Sequence, residues 1–376
     1  MVIELRGVEF QNKGAELMLH AILQKVRQKR PDAVFVMERG YTVPQEKLKK
    51  NNIYYKVNYG RKKEKLISFL PVPFRRKFGF IAPQEIDVVI DGSGFAFGDL
   101  WGAQYSGERL ANHIESWKKE GKKVILLPQA LGPFTNAPLK AKMKTIIANA
   151  DLIFARDEIS YKYIKSLNPD AKNIFQKPDF TNLVKGKVPD YFDPKVHEVA
   201  IIPNSKMLEK TSANEGEAYL NMLPAIVGLV RKLGHKPYFL IHEGKKDINI
   251  AQKANEMLED KIQIVIEDDP IHVKGLIGAS KAVITSRFHG LVSALSQAVP
   301  CLATGWSHKY EMLLNDYNFR EALLDVKIKE EELEEKLRLI LEDKSRNAII
   351  ARLKKQSEIQ KGLSNQMWEM VFDRIN

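Results

Sequence analysis

The stretch KAVITSRFHGLVSALSQAVPCLATGWSHK, residues 281–309, decides the predicted fold, because it contains a complete strand–helix–strand pattern. Ala282–Thr285 is short and rich in β-branched residues, which predicts a buried strand. Apolar residues then recur at helical spacing, with Ser286 in the position of an N-cap. Pro300 ends the helix and begins the second strand, Pro300–Thr304. Polar residues stand at the turns, so the stretch predicts one βαβ unit.

Two cationic residues stand at the start of this helix. Arg287 and His289 fall where the helix dipole and the free N–H groups favour negative charge. A bound phosphate or carboxylate would satisfy those amides, and Arg287 could hold it in a bidentate fork. Gly290 would let such a ligand approach the backbone. The alternative is a solvent-exposed arginine beside a packed histidine, since R-x-H-G is a short motif.

Length and composition predict a globular protein of two domains. The chain has 376 residues, which suits two domains of about 150 to 200 residues each. Its first ten residues resemble a core strand rather than a secretory signal, and no apolar run approaches the roughly 18 residues that span a bilayer. The single cysteine, Cys301, lies in a predicted buried strand. We therefore expect a cytoplasmic protein.

The net charge of +12 predicts anionic partners such as phosphates, anionic sugars or an anionic membrane surface. Nucleic acid is not expected as a partner, because no helix-turn-helix, zinc-finger, RNP or KH pattern occurs. No His/Cys/Asp cluster has metal-ligand spacing, and His242-Glu243 lacks the H-E-x-x-H continuation, so we expect no metal.

The N-terminal half alternates predicted strands and helices. Asn12 is a potential N-cap after the first strand, and the turn at Asn12-Lys13-Gly14 could cradle a phosphate or be a plain capped turn. A later strand, Glu85–Ile90, runs into Asp91-Gly92-Ser93-Gly94, where glycines allow close backbone approach. Asp91 could act as a general base, accept from a sugar hydroxyl, or cap its own loop. The spacing does not fit G-x-G-x-x-G, so NAD binding is not predicted.

Two further features of this half are basic. Arg156 follows the strand Asp151–Ala155, where it could hold a second oxyanion or pair with neighbouring acids. Residues 60–80 interleave basic and apolar side chains around two prolines. This patch could rest on anionic lipid headgroups. The interpretation we favour from sequence is instead an insertion whose aromatic side chains pack down while its basic groups stay solvated.

The predicted fold class is α/β, with two Rossmann-like domains facing one another across a cleft, as in GT-B enzymes. Residues 1–185 would form the first domain, 186–197 a linker, and 198–345 the second domain with the donor-anion site. The terminal helix, 346–376, could return to the first domain. Asp91 and Arg156 would then meet Arg287 and His289 in the cleft.

Four segments together resemble the polysaccharide pyruvyltransferase family in order and spacing. They are Asn12-Lys13-Gly14, Asp91-Gly92-Ser93-Gly94, Ala155-Arg156-Asp157, and Arg287-Phe288-His289-Gly290 followed by Trp306-Ser307-His308-Lys309. Two positions depart from the family pattern. Ala15 stands where family members commonly have Asp, which leaves open whether Glu16 or Asp91 supplies a carboxylate, and Trp306 stands where Tyr is commoner.

The resemblance implies a transferase that takes phosphoenolpyruvate and installs pyruvate as a ketal across two hydroxyls of a sugar, with release of phosphate. It implies a role in cell-surface polysaccharide or exopolysaccharide synthesis, with no cofactor besides phosphoenolpyruvate as co-substrate. Arg287, Arg156 and Lys309 would hold the donor anions. His289 would transfer a proton, since histidine titrates nearest to neutral pH, with Asp91 as its partner.

The acceptor would be a sugar or a lipid-linked oligosaccharide, and the basic patch would allow peripheral contact with the inner face of the cytoplasmic membrane. Two other functions stay open. One is a GT-B glycosyltransferase, in which Arg287 and His289 hold the diphosphate of a nucleotide sugar. The other is a carbohydrate- or lipid-binding protein without catalysis.

Overall fold

The fold is described from a computed structural model that covers residues 1–38, 44–58 and 62–375, without the side chains of residues 62–64. The chain divides into two compact units. Unit 1 contains Met1–Gln11, Met18–Phe180 and Leu363–Asn376, and unit 2 contains Asn12–Leu17 and Thr181–Gly362. Unit 2 thus includes the first turn of the first helix. Among the described residues, no helix is both long and apolar enough to cross a membrane.

Unit 1 is built on a parallel sheet. Its strands are β1 (Val2–Arg6), β2 (Val34–Glu38), β3 (Ile53–Lys56), β4 (Phe80–Ile81), β5 (Val88–Asp91), β6 (Phe95–Phe97), β7 (Lys123–Leu131), β8 (Leu152–Ala155) and β9 (Ile174–Gln176). Within the described ranges their order is β4-β3-β2-β1-β5-β7-β8-β9, and β6 pairs with β7. The order reverses between β1 and β5. In doubly wound sheets, ligands bind at the carboxyl ends of the strands beside this reversal.

The helices that follow these strands are α1 (Lys13–Lys29), α2 (Gln45–Lys50), α3 (Lys62–Ser68), α4 (Val72–Lys77), α5 (Gly102–Ser106), α6 (Ile114–Lys119), α7 (Ala137–Asn149) and α8 (Glu158–Leu167). Their apolar faces cover the sheet, with Leu110, Ile114, Leu139 and Met143 in the core. A π-helical stretch, Gly107–Ala111, lies between α5 and α6. Strands β3, β4 and β6 were not predicted. They are short, and β-propensity alone gives a weak signal over so few residues.

Unit 2 has a second parallel sheet of β10 (Val199–Ile202), β11 (Pro237–Ile241), β12 (Ile264–Ile266), β13 (Ala282–Thr285) and β14 (Cys301–Ala303). Its order among the described residues is β12-β11-β10-β13-β14, which reverses between β10 and β13. The helices are α9 (Lys206–Glu209), α10 (Ala213–Lys232), α11 (Gly244–Glu256), α12 (Pro270–Ala279), α13 (Phe288–Ser296), α14 (Lys309–Asp316), α15 (Glu330–Leu341) and α16 (Asp343–Ile375). Both units are therefore α/β with Rossmann-like sheets.

The stretch 281–309 forms β13, α13 and β14, and it lies at the reversal of the unit 2 sheet. The prediction that Ser286 caps the helix is wrong, because Arg287 occupies the N-cap position with extended backbone angles. Ser286 is buried instead, and its hydroxyl lies 2.7 Å from the Thr304 hydroxyl. The Thr285 hydroxyl accepts from the Arg287 N–H at 3.1 Å, so the strand end itself shapes this turn.

The end of α16 belongs to unit 1, where Trp368 packs edge-on against Phe180. The boundary after Phe180 comes five residues before the end of the predicted first domain. Within the unit 2 part of this helix, the Ser357 hydroxyl donates to the carbonyl of Ser296 at 2.8 Å.

The preferred interpretation of residues 60–80 is wrong for three of their four aromatic side chains, since only Phe80 is buried. Residues 60 and 61 lie outside the described part, and 62–80 form α3, α4 and β4. The aromatic side chains of Phe69, Phe74 and Phe78 are exposed rather than packed down.

Candidate functional site

Arg287 is buried at the carboxyl end of β13 and is held by two carboxylates. Its Nε donates to Asp247 Oδ2 at 2.9 Å, and its Nη2 donates to Asp247 Oδ1 at 2.5 Å. Its Nη1 donates to Glu243. The alternative of a solvent-exposed arginine is therefore wrong. Burial lowers the pKa of Arg287 to about 10, which still leaves the guanidinium charged at neutral pH.

Glu243 connects two groups that the sequence assigned to anion binding. One of its oxygens accepts from Arg287, and the other accepts from Asn12 Nδ2 at 2.9 Å. Its side chain is 29% exposed, whereas that of Asp247 is fully buried. The backbone N–H of Ser205 also donates to Asp247 at 3.0 Å. Asp247 is thus fixed behind the guanidinium, and Glu243 lies on its more exposed side.

His289 is half-buried in the first turn of α13 and packs closely on the first turn of α1. A Cβ atom added at Gly14 would lie 2.3 Å from His289 Nδ1, a distance that real Cβ atoms do not tolerate. Glycine is therefore required at this position for close approach. The Asn12 side chain accepts from the N–H of Gly14 at 2.8 Å, which holds the turn against the imidazole.

The electrostatic surroundings of His242 show that the positive groups of this site lie close together. Burial lowers the pKa of His242 well below its usual value, and the charges of Arg287, His289 and Lys13 lower it further. Lys13 is itself buried, with its ammonium 3.6 Å from both Glu16 and Asp268. His242 is therefore neutral at pH 7, and cationic groups are gathered around it.

Lys309 lies among aromatic rings. Its ammonium is 4.6 Å from the ring centre of Trp306, 5.3 Å from that of Phe288 and 5.6 Å from that of Tyr310. Tryptophan attracts a cation over its face more strongly than tyrosine does. Trp306 therefore positions the ammonium, and the aromatic-x-x-Lys spacing brings the two side chains together.

The expected role of Gly290 needs a correction. A Cβ atom at this position would lie 2.6 Å from the Thr285 hydroxyl, so protein atoms fill the space that the sequence analysis assigned to a ligand. Gly92 is similar, because a Cβ atom there would meet Val8 at 2.8 Å and Ile22 at 2.9 Å. Both glycines are explained by packing.

Asp91 ends β5, beside the reversal of the unit 1 sheet. It accepts from the Ser93 N–H at 3.0 Å and from Arg109 Nε at 2.9 Å. Arg109 also donates to the Ser93 hydroxyl at 2.6 Å. Burial lowers the pKa of Arg109, but the charges of Asp91 and Tyr105 and their hydrogen bonds together raise it above its usual value. Of the sequence alternatives for Asp91, the loop-capping contact is present.

Arg156 is buried after β8, and its Nη1 lies 3.3 Å from Asp179 Oδ2. Its backbone N–H donates to the carbonyl of Gln129 at 3.0 Å. The Gln129 side chain is fully buried at the end of β7, and neither of its amide atoms has a hydrogen-bond partner among the described residues. Such a group costs stability unless it serves another purpose.

The predicted site residues fall into two groups. Unit 1 holds Asp91, Gly92, Ser93 and Arg156, and unit 2 holds Asn12, Lys13, Arg287, His289, Gly290 and Lys309. In unit 2, the start of α1, the residues after β11 and the start of α13 come together, although they are far apart in sequence.

The sequence profile of the polysaccharide pyruvyl transferase family matches residues 12–308, which include all the predicted site residues except Lys309. The chain belongs to this family. The resemblance drawn from four segments is thereby confirmed. The described geometry is thus that of a polysaccharide pyruvyl transferase family member, and the family assigns a transferase class to the chain.

Solved structures show that this family member has a GT-B-like fold. A putative UDP-N-acetylglucosamine 2-epimerase from Listeria monocytogenes is similar with a TM-score of 0.61 and 14% identity, over 97% of this chain and 94% of that chain. The Neisseria meningitidis UDP-GlcNAc 2-epimerase is similar with a TM-score of 0.59 and 13% identity, over 99% of each chain. Anabaena HepE in complex with UDP-glucose is similar with a TM-score of 0.57 and 12% identity, over 99% of each chain.

The sequence analysis did not predict four polar residues that contact the predicted site residues or lie beside them. They are Arg109, Gln129, Glu243 and Asp247. Glu243 was considered only as part of an incomplete zinc motif. Asp247 and Arg109 lie in helices whose sequences carry no motif, and their partners are 40 and 18 residues away. The one available signal was that a buried arginine after a strand requires a carboxylate partner.

Proposed function

We propose that this family member transfers pyruvate from phosphoenolpyruvate to two hydroxyls of a sugar. The methylene carbon of the donor gains a proton, and an oxocarbenium-like centre forms at the adjacent carbon. One hydroxyl attacks this carbon, the carbon–oxygen bond to phosphate breaks, and the second hydroxyl closes the ketal. Of the two hydroxyl protons, one replaces the proton consumed at the methyl group and the other leaves with phosphate. No electrons are exchanged, so the reaction needs no redox cofactor.

The observation that carries the proposal is the contact of one glutamate with both Asn12 and Arg287. Glu243 presents a carboxylate at the place where the sequence predicts the donor anion. We assign the donor carboxylate to this position, where it replaces Glu243 at Nη1 of Arg287. Asp247 keeps the guanidinium in orientation throughout, because it holds Nε and Nη2. Such bidentate contacts are the strongest that arginine makes with carboxylates.

His289 is the proposed proton donor to the methylene carbon. It lies two residues after Arg287, in the first turn of α13, and the close approach of Gly14 fixes the position of its imidazole. Lys309 and Lys13 supply further positive charge for the phosphate, and Arg156 holds a second oxyanion. Asp91 is the proposed base toward an acceptor hydroxyl, and Arg109 and Ser93 orient it.

The test is a thermal-shift titration with phosphoenolpyruvate and, separately, with UDP-sugars. A ligand that binds the folded state stabilises it by RT ln(1 + [L]/Kd), or about 2.7 kcal/mol at one hundred times Kd. We expect stabilisation by phosphoenolpyruvate that is lost in Arg287→Lys, which retains the charge but not the fork. Each variant is compared with its own unliganded melting temperature, since loss of the Asp247 contact will lower it. Arg231→Lys, in α10, is the matched control.

A second candidate function is transfer from a nucleotide sugar. It is supported by the similarity to Anabaena HepE, which was solved with UDP-glucose. Stabilisation by a UDP-sugar alone would select it and refute the phosphoenolpyruvate proposal. If neither ligand shifts the melting temperature, both transferase proposals fail, and a binding protein without catalysis is the remaining function.

A further inference from the structure

A cluster of large apolar side chains is exposed on α3, α4 and the residues beside them. Phe69 is 76% exposed, Leu66 70%, Phe78 62% and Phe74 59%. Leu70 and Val72 are also exposed, which gives six large apolar side chains within residues 66–78 of the described chain. Exposed apolar groups at this density mark an interaction surface rather than ordinary surface composition. We call this surface, residues 65–78, the apolar–basic patch.

The sequence of the patch carries positive charge, and Glu85, which lies outside it in sequence, pairs with Arg75 at 2.6 Å and with Arg76 at 3.6 Å. Residues 65–78 contain Lys65, Arg75, Arg76 and Lys77 and no Asp or Glu. Lys65 and Lys77 are exposed beside the apolar side chains. A partner protein with an ordinary mixed surface would not require this one-sided charge, whereas an anionic bilayer requires basic and apolar groups together.

Arg75 gives the patch a fixed shape. It is buried, and its guanidinium donates to the carbonyls of Ser68 at 3.0 Å and Leu70 at 2.7 Å and to Glu85 at 2.6 Å. These contacts hold the turn between α3 and α4, so Phe69 and Phe74 are exposed on a built surface. Arg75 is therefore a structural residue and is unsuitable as a test of charge.

A cleft of about 650 Å³ lies beside the patch. Lys49, Arg76 and Lys77 line it together with the rings of Tyr54 and Phe78, and none of the described residues that line it is acidic. Arg76 pairs with Glu85 at 3.6 Å, so Lys49 and Lys77 supply the net positive charge of the cleft. A concave site with this charge and aromatic walls suits a phosphate group whose attached chain continues along an apolar surface.

We propose that the apolar–basic patch docks this chain on an anionic lipid bilayer. Phe69, Phe74 and Leu66 enter the interface between headgroups and acyl chains, and the cleft takes the phosphate of a lipid headgroup. The proposal does not depend on the identity of the donor, because every residue that carries it lies in Gln45–Phe80. It places unit 1 against the membrane, where a lipid-linked acceptor would be available to the enzyme.

The experiment is cosedimentation of the full chain with vesicles of phosphatidylglycerol and phosphatidylcholine, and with phosphatidylcholine vesicles. We expect binding to the anionic vesicles that weakens as salt concentration rises. Phe69→Ser with Phe74→Ser should lower the partition coefficient about a hundredfold, since each lost apolar side chain contributes about tenfold. Lys77→Glu should lower it at least about fivefold. All three side chains are exposed, so the variants will fold.

Controls make the same kinds of change at exposed residues of unit 2, where Met257 is 51% and Ile359 47% exposed. Met257→Ser with Ile359→Ser, and separately Lys253→Glu, should leave vesicle binding unchanged. Equal sedimentation of wild type and patch variants, or no sedimentation of wild type with anionic vesicles, would overturn the proposal. So would a wild-type dimer in sedimentation velocity that Phe69→Ser with Phe74→Ser converts to monomer without any vesicle binding, because a second copy would then cover the patch.

Discussion

Replacing Glu243 by glutamine tests how the site binds its donor. In the structure this carboxylate accepts hydrogen bonds from Arg287 and Asn12, so a donor anion that binds these two groups must displace it. Glu243→Gln keeps the size of the side chain and removes its charge. If the proposed function is right, the variant binds phosphoenolpyruvate more tightly than the wild type, although it has lost a native contact.

The magnitude follows from the contact that the donor must break. A hydrogen bond to a charged group contributes about 1.5 to 3 kcal/mol, and solvent weakens this one because Glu243 is 29% exposed. About 1.4 kcal/mol therefore favours the donor in the variant, which is about a tenfold lower Kd. Arg287 retains both contacts with Asp247, so we expect the free energy of unfolding to fall by about 1 kcal/mol or less.

The assay is isothermal titration calorimetry with phosphoenolpyruvate at fixed ionic strength, since screening changes all such affinities. Glu209→Gln is the matched control. Glu209 is a neighbouring carboxylate of unit 2 that pairs with Lys206 and Lys246, each at 2.6 Å, rather than with Arg287. It makes the same charge change without freeing the guanidinium, and its effect on Kd should be small.

Two results would refute the reasoning. A folded Glu243→Gln variant with unchanged or weaker phosphoenolpyruvate affinity would show that Glu243 does not compete with the donor. An equal gain in Glu209→Gln would show that only the overall charge matters. Asp247→Asn should act in the opposite direction, because it leaves Arg287 buried and poorly oriented, and it should weaken binding while costing about 3 to 5 kcal/mol of stability.

Three other substitutions follow from the structure. The fold lowers the pKa of His242, so below about pH 6.5 the unfolded state binds more protons than the folded state. The free energy of unfolding therefore decreases as the pH is lowered, by up to about 1.4 kcal/mol per pH unit. His242→Gln should flatten this decrease in denaturant titrations between about pH 6.5 and 5, and an unchanged slope would contradict the assignment. Gly14→Ala should displace the His289 imidazole and lower the rate of phosphate release from phosphoenolpyruvate about a hundredfold. The rate is measured with a membrane extract of the source cells as the acceptor. Full activity would show that the position of His289 is unimportant. Gln129→Met removes a buried amide without partners among the described residues, so the melting temperature should stay equal or rise by about 2 °C, and a clear fall would show that the amide is bonded.

Much of the fold could be predicted from sequence because the pattern is local. In the stretch 281–309, strand and helix differ in apolar period, and Pro300 marks where the helix must stop. The short strands β3 and β4 could not be predicted, because they exist only through pairing with β2 and with each other. The side chains of residues 66–78 were misjudged for a similar reason. Composition does not reveal which apolar side chains are buried against another element of the fold.

The candidate site was predicted in part. Arg287, His289, Asn12 and Lys13 were named from sequence, and the structure brings them together in unit 2. The meeting of Asp91 and Arg156 with this group across a cleft stays a prediction. The carboxylates that hold Arg287 were not predicted, since Glu243 and Asp247 follow a different strand and carry no motif.

The sequence by itself determined the α/β class, the family and the identity of the cationic residues, because these depend on local periodicity and on short motifs with fixed spacing. Only the tertiary structure decided which charges pair. The parallel sheet of unit 2 places the carboxyl ends of β11 and β13 at one edge, so a guanidinium and two carboxylates 40 or more residues apart lie within hydrogen-bond distance. Burial then makes that pairing obligatory, because a charge removed from water must be compensated by a neighbour.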